Sequence, residues 1–189
     1  MVNALLPKGV EIKNLISKLR TLAWSASDKL IFYQKKVLIN NTLDFNNFKV
    51  DEGPVSKADL EVNKLILEFF ENNFNAIDWN IVSEENNKSD FLPLSNKKWT
   101  WIIDPLDGTK DFLNGTDEFA IHIALLYEKK PILGVVVLPA LEELWFGVKN
   151  LGVWYENRAG VKVSDFKNKN KLDELILISS KNHKNKDLN

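Results

Sequence analysis

Cysteine is absent from the sequence, and only two histidines are present. The chain can therefore form no disulfide, no thiolate metal site and no cysteine nucleophile, which is compatible with a reducing compartment. Strong charge of either sign is also lacking, since the formal net charge is −1, and this argues against a nucleic acid polymer or an anionic membrane as partner. Long apolar runs are missing too: the stretch at 131–141 is too short to span a bilayer, and the N-terminus lacks a signal-peptide pattern. We therefore expect a cytoplasmic protein.

The rest of the composition is that of a soluble globular protein. Apolar residues make up 44% of the 189 positions and charged residues 27%, enough for one domain with a real core. We expect residues 1–189 to form a single domain.

The first part of the chain has helical periodicity. Apolar residues recur every three or four positions over residues 8–38, which predicts one long amphipathic helix. Residues 40–54 are polar and contain a Gly-Pro pair, which favours a loop or a short hairpin. Ser56 then begins a second helix, with Asp59 three positions later and an apolar face after it.

After Asn75 the period changes to that of β-strands. Short strand-like runs follow one another, at 79–83, 98–103, 119–127, 132–138, 143–147 and 152–155. Residues 104–115 interrupt them as a turn that leads into one short helical segment. Residues 119–155 contain no helical window and predict an antiparallel meander, and residues 172–180 indicate one more strand. The fold class is therefore α+β, with two N-terminal helices packed on a mostly antiparallel sheet.

Acidic residues cluster in three places, around Asp59, at Glu84 and Glu85, and around Asp104 and Asp107. In the last cluster an apolar run ends on an aspartate, and a proline places a second aspartate three residues on. Carboxylates with no cysteine and little histidine nearby form an all-oxygen environment, which hard cations such as Mg²⁺ prefer.

The residues that follow this cluster favour an anion. Gly108 and Thr109 come at the start of the short predicted helix, where unpaired amides and the helix dipole attract a phosphate. One turn would then offer a metal site on one side and a phosphate cradle on the other.

Each of these features also has an ordinary structural interpretation. Asp107 and Gly108 form a common turn dipeptide, and Asp59 completes a capping box. Glu84 is compatible with a solvated strand end. His122 alternates with alanines on one strand face and is interpreted as structural. The six tryptophans are interpreted as packing residues because no basic stripe accompanies them.

The motifs taken together resemble a known family. Ser-x-x-Asp at a helix start, Ser-Glu-Glu at a strand end and Asp-Pro-Leu-Asp-Gly-Thr behind an apolar strand resemble the inositol monophosphatase superfamily in order and spacing. The segment from DPLDGTKDFLNG to PILGVVVLPAL is most similar to the branch of 3'(2'),5'-bisphosphate nucleotidases. That resemblance implies a Mg²⁺-dependent phosphatase of sulfur metabolism, which hydrolyses 3'-phosphoadenosine 5'-phosphate to AMP and phosphate. An inositol or sugar monophosphatase, or a catalytically incomplete half-domain with a binding or assembly role, stays open as an alternative.

The resemblance also implies residue roles. Two or more Mg²⁺ ions would be held by a set of oxygen ligands, namely Glu84, Asp104, the backbone carbonyl of Leu106, and Asp107. Thr109 would hold the attacking water with help from Asp59, its hydroxyl bonded to that carboxylate. The small phosphorylated substrate would be held by three consecutive residues, namely Asp107, Gly108 and Thr109.

One part of the family pattern has no counterpart here. Family members continue into a C-terminal subdomain that supplies a further metal-binding aspartate, usually in a Trp-Asp pair, and this sequence has no such pair after the motif. A fragment, a naturally truncated product, and a chain completed by a homo-oligomer or a partner chain are the explanations left open. We expect weak Mg²⁺ binding, little turnover, and self-association through residues 175–178.

Overall fold

The helices and strands that position the acidic residues can be described for residues 2–40, 57–86 and 97–163 of the computed structural model. Within these ranges the helices are α1 (Ile12–Asn40), α2 (Lys57–Phe74) and α3 (Thr109–Leu113). The strands are β1 (Asn80–Ser83), β2 (Trp99–Asp107), β3 (Ala120–Tyr127), β4 (Lys130–Leu138), β5 (Glu143–Val148), β6 (Gly152–Asn157) and β7 (Lys162–Val163). Short 3-10 turns are formed by Val2–Leu5, Glu84–Asn86 and Pro139–Leu141.

The seven strands form one sheet whose order follows the sequence from β1 to β7. β1 and β2 are parallel, and every later pair is antiparallel. The predicted α+β class and the predicted meander over residues 119–155 are thereby confirmed. β7 was not predicted, because a strand of two residues carries no readable alternation.

The predicted first helix corresponds to α1. Its buried positions repeat at the three-and-four spacing, at Ile12, Leu15, Ile16, Leu19, Leu22, Ala23, Ala26 and Leu30. The amide of Ile12, at the start of the helix, donates to Oδ1 of Asn3 at 3.0 Å, which satisfies one of the amides that a helix leaves unpaired at its beginning. Within the described ranges, none of the helices combines the length and the apolar character that a membrane span requires.

Aromatic packing fixes α2 against the sheet. Phe70 lies 4.8 Å from Trp101 and 5.8 Å from Trp79 between ring centroids, and both tryptophans are buried. These contacts hold the second half of α2 against β2 and the beginning of β1, and a hydrogen bond between Ser83 and Asn63 holds the end of β1 against the first half of the helix.

The acidic cluster itself departs from the expected local structure. A strand ending at residue 103 was predicted, but β2 continues through Asp107. Asp104 pairs with His122 and Asp107 pairs with Ala120, so three steps on β2 face two steps on β3. One extra residue in a strand is a β-bulge. Pro105, which has no N–H to donate, lies inside this irregular stretch and explains why it appears as a turn in the sequence.

Several predicted features lie outside the described residues. They are Ser56 as the start of the second helix, the loop predicted at 40–54 except for Asn40, which ends α1, and the strand at 172–180 with the expected association through 175–178.

Candidate active site

The parallel pairing of β1 with β2 brings Glu84 and Asp104 together. Ser83 is the register partner of Ile103, and Glu84 and Asp104 are the residues that directly follow these two. Parallel strands end at the same edge of a sheet, so residues that follow matched positions lie side by side. The chain turns at this point into the 3-10 turn Glu84–Asn86.

The pKa of Asp104 is shifted by its burial and by the nearby carboxylates. Burial raises the pKa of Asp104 from its ordinary value of 3.8 to about 7, and the negative charges of Glu84 and Asp107 contribute to the same rise. A hydrogen bond between the Glu84 and Asp104 side chains acts in the same direction. The amide of Leu106 opposes the shift by donating to Oδ1 of Asp104 at 3.1 Å. Asp104 therefore keeps its proton to a higher pH than an ordinary aspartate when no cation is bound.

Asp107 interacts less closely with Asp104 than Glu84 does. It influences Asp104 through its charge and not through a hydrogen bond, and its side chain is exposed. Among the described residues, no group of three or more acidic, histidine or cysteine side chains is arranged as a complete metal site. These two observations agree because a charge acts over several ångströms, whereas ligands of one Mg²⁺ must each lie about 2 Å from the ion.

The turn after Asp107 depends on a glycine. Gly108 has φ of +81°, a region that residues with a side chain rarely adopt. A Cβ at this position would lie 2.5 Å from the backbone oxygen of Glu118. The close approach leaves no room for any other residue, so Gly108 determines how Thr109 enters α3.

Thr109 makes a contact that differs from the one expected. Its hydroxyl donates to the carbonyl oxygen of Leu106 at 3.1 Å. That carbonyl has a second lone pair, so it can accept this hydrogen bond and still act as a metal ligand. The hydroxyl has only one proton, and to bond Asp59 in addition it must accept from a protonated carboxyl or rotate. The bond between Thr109 and Asp59 therefore stays a prediction.

Two polar residues of α2 face this region. Asp59 lies in the first turn of the helix and is only 3% exposed, and Asn63, four residues later, is 6% exposed. Asn63 accepts a hydrogen bond from Ser83 Oγ at 2.6 Å and donates one to Asn86 Oδ1 at 2.9 Å. Asn63 belongs to none of the motifs recognised in the sequence. Its position one turn after Asp59, on an otherwise apolar helix face, is the signal that could have drawn attention to it.

The donor set fits a hard divalent cation. Two carboxylates are in direct contact, and a third is close enough to raise the pKa of Asp104. Asp104 is partly buried, whereas Glu84 and Asp107 are exposed, so the negative charge is concentrated at a place that a cation can reach from solvent. All the donors are oxygen atoms, which is the chemistry that Mg²⁺ selects.

A family model described as the inositol monophosphatase family matches residues 14–189. The chain belongs to this family, as the motifs in its sequence indicated.

Individual relatives point to more than one member of the family. The chain is 32% identical over 151 residues to the 3'(2'),5'-bisphosphate nucleotidase CysQ of Haemophilus influenzae, a match that covers 79% of this chain and 53% of the relative. It is 38% identical over 104 residues to the fructose-1,6-bisphosphatase/inositol-1-monophosphatase of Aquifex aeolicus, covering 55% of this chain and 35% of the relative.

A solved structure shows the same arrangement of elements. The crystal structure of CysQ from Bacteroides thetaiotaomicron superposes with a TM-score of 0.59 at 26% identity, covering 77% of this chain and 50% of that one. The chain therefore spans about half the length of the relatives that it matches.

Proposed function

We propose that the chain carries the metal- and phosphate-binding half of a Mg²⁺-dependent phosphomonoesterase. The observation that carries the proposal is the contact between Glu84 and Asp104, with Asp107 close enough to raise the pKa of Asp104. Perturbed carboxylates that share a site are typical of catalytic centres. A cation bound there would supply charge neutralisation at the phosphate and a lower pKa for the attacking water.

Each residue of the candidate site then has its own role. Glu84, Asp104 and Asp107 bind the cation with their carboxylates, and the Leu106 carbonyl adds a neutral oxygen. Thr109 orients the attacking water with its hydroxyl.

The remaining tasks are proton acceptance and phosphate binding. Asp59 accepts a proton from the Thr109 hydroxyl once this hydroxyl has rotated away from the Leu106 carbonyl, and the burial of Asp59 keeps its side chain in one place. The amides of Gly108 and Thr109 hold the phosphate in line with the water.

For the substrate we propose 3'-phosphoadenosine 5'-phosphate, hydrolysed to AMP and phosphate. The support is the similarity to CysQ proteins, whose names state a 3'(2'),5'-bisphosphate nucleotidase. An inositol or sugar monophosphatase is the second candidate, because the Aquifex aeolicus relative is the more identical of the two over its shorter match.

Release of inorganic phosphate tests the proposal directly. The purified chain is incubated with Mg²⁺ and, in separate reactions, with 3'-phosphoadenosine 5'-phosphate, inositol 1-phosphate or fructose 1,6-bisphosphate. We expect slow release from the nucleotide, in keeping with the little turnover expected of this chain, dependence on Mg²⁺, and loss of both in Asp104→Asn. A preference for the inositol ester would assign the chain to the second candidate. Binding of Mg²⁺ without turnover on any ester would favour a binding or assembly role.

A further inference from the structure

Asn63 is a buried amide on a helix face whose other buried residues, apart from Asp59, are apolar. The neighbouring buried positions of α2 include Val62, Ile66 and Phe70. An amide removed from water at such a place costs free energy unless its donors and acceptors find partners. The hydrogen-bond partners of Asn63 therefore indicate its role in the structure.

Those partners flank Glu84 on both sides. Ser83, which donates to Asn63 Oδ1 at 2.6 Å, immediately precedes Glu84 and is completely buried. Asn86, which accepts from Asn63 Nδ2 at 2.9 Å, ends the 3-10 turn that Glu84 begins. One side chain on α2 thus holds the last residue of β1 and the last residue of the turn.

We propose that Asn63 is a positioning residue that fixes the Glu84 carboxylate against Asp104. The proposal rests on the proposed metal role of Glu84. Glu84 begins a 3-10 turn of only three residues, which has little internal stiffness to hold a side chain in one place. The two hydrogen bonds from Asn63 tie both ends of this stretch to α2, so that Glu84 is already in place when a cation arrives and less reorganisation is needed on binding.

Metal affinity measures this effect in the intact chain. Mn²⁺ serves as the probe, followed by its electron paramagnetic resonance signal, and Mg²⁺ competition gives the Mg²⁺ affinity. We expect Asn63→Ala to weaken Mn²⁺ binding roughly ten- to a hundredfold, as is usual for residues that orient metal ligands. Ser83→Ala, which removes one of the two hydrogen bonds, is expected to have a smaller effect. The double variant should be no worse than Asn63→Ala, because both changes break the same bond.

Asn73→Ala is the matched control. Asn73 lies on the same helix and accepts a hydrogen bond from Lys18 Nζ at 2.6 Å, but it is ten residues, or about 15 Å, further along the helix axis. The control should lower the melting temperature without changing the Mn²⁺ affinity. The proposal would be overturned if Asn63→Ala lowered the melting temperature as Asn73→Ala does but bound Mn²⁺ with the affinity of the unmodified chain.

Amide hydrogen exchange without metal separates the positioning role from the metal role. In Asn63→Ala, and not in Asn73→Ala, the amides of residues 84–86 should exchange at least tenfold faster than in the unmodified chain. Unchanged exchange at these amides would contradict the positioning role whatever the metal does. If exchange increases as expected but Glu84→Gln binds Mn²⁺ as tightly as the unmodified chain, the proposed metal role of Glu84 fails and the positioning of the turn stands.

Discussion

Asp104 is a carboxylate whose pKa is raised both by burial and by the charges of its neighbours. Its carboxyl group is partly removed from water, and it is in contact with Glu84 and within electrostatic reach of Asp107. An arrangement of this kind lowers stability when nothing neutralises it, because a partly buried carboxylate is held close to two like charges. Such local cost is typical of a functional site.

The first prediction concerns Asp104 itself. Asp104→Asn keeps the shape of the side chain and removes its charge, so it should reduce Mg²⁺-dependent phosphate release on the order of a thousandfold or more and weaken Mn²⁺ binding. His122→Ala is the matched control, since His122 is the register partner of Asp104 across the β2–β3 ladder and has no proposed role in catalysis. Near-normal phosphate release and metal binding in Asp104→Asn would remove its role as a ligand.

A second prediction separates Asp59 from the metal ligands. If Asp59 acts on the attacking water through Thr109, Asp59→Asn should reduce the turnover number much more than it reduces Mg²⁺ affinity. Steady-state kinetics at several Mg²⁺ concentrations gives both quantities. An equal loss of turnover and affinity would instead place Asp59 among the groups that hold the cation.

The third prediction concerns the turn at Gly108. Gly108→Ala combines an unfavourable positive φ with a contact of 2.5 Å to the Glu118 oxygen, and it should destabilise the fold by about 2–4 kcal/mol in chemical denaturation. Gly160 has φ of +75°, but among the described residues nothing beyond its chain neighbours lies within 4 Å of the place that a Cβ would take. Gly160→Ala should therefore cost only about 1 kcal/mol. Equal losses in the two variants would mean that the contact with Glu118 is relieved by a small backbone shift.

At the scale of helices and strands, the periodic segments could be predicted from the sequence. α1 and α2 carry their apolar residues at helical spacing, and β3 to β6 alternate with turns between them, so local pattern and final structure agree. The bulge in β2 could not be predicted, because Asp, Pro and Gly favour a turn when the residues are considered without their neighbours. The strand is maintained there by its pairing with β3.

The candidate site was predictable only in part. The acidic residues and Gly108 are visible in the sequence because their spacing is local. The contact between Glu84 and Asp104 follows from the parallel register of β1 with β2, which the sequence does not specify. The hydrogen bonds of Asn63 span 20 and 23 residues, and side-chain partners at such separations leave no periodic signal.

An ion pair with a buried carboxylate joins α1 to β6. Arg20 Nε and Nη2 donate to the two carboxylate oxygens of Glu156 at 2.6 and 2.9 Å, and Trp154 Nε1 donates to the same carboxylate at 2.9 Å. Glu156 is only 6% exposed. The pair closes α1 onto β6, at the end of the sheet away from β1.

The fourth prediction follows from this ion pair. Arg20→Ala leaves the Glu156 carboxylate buried with one donor fewer on each oxygen, and it should destabilise the fold by about 1–3 kcal/mol. The hydrogen bond to Arg20 is the main cause that lowers the pKa of Glu156. A lowered pKa stabilises the fold above the unfolded-state pKa of 4.5, and that contribution is lost as the pH falls through the folded-state pKa. Lys29→Ala, which breaks the more exposed pair with Glu61, is the control and should cost less. A larger loss in the control would contradict the assignment.

Over the whole molecule, the residues that form the apolar core are distinct from the acidic residues of the candidate site. The buried residues of the strands, among them Trp101, Ile123, Val135 and Phe146, belong to one apolar cluster with those of α1 and α2. The acidic residues lie instead at the end of β1, inside the β2 bulge and at the beginning of α2. Because these positions come from different elements, the negative charge of the site acts on the stability of the complete fold, and so does any cation that neutralises it.

The final prediction measures that coupling through pH and Mg²⁺. Between the unfolded-state pKa of 3.8 and the folded-state pKa of about 7, the folded chain holds a proton at Asp104 that the unfolded chain has released. The contribution of Asp104 to stability is therefore greatest below pH 3.8 and is lost as the pH rises to about 7. Mg²⁺ binds the ionised form, so it should raise the melting temperature more near pH 8 than near pH 5. In Asp104→Asn the pH-dependent loss and most of the Mg²⁺ effect should disappear together. A Mg²⁺ shift of equal size at both pH values, or one that persists in Asp104→Asn, would mean that the cation binds elsewhere on the protein.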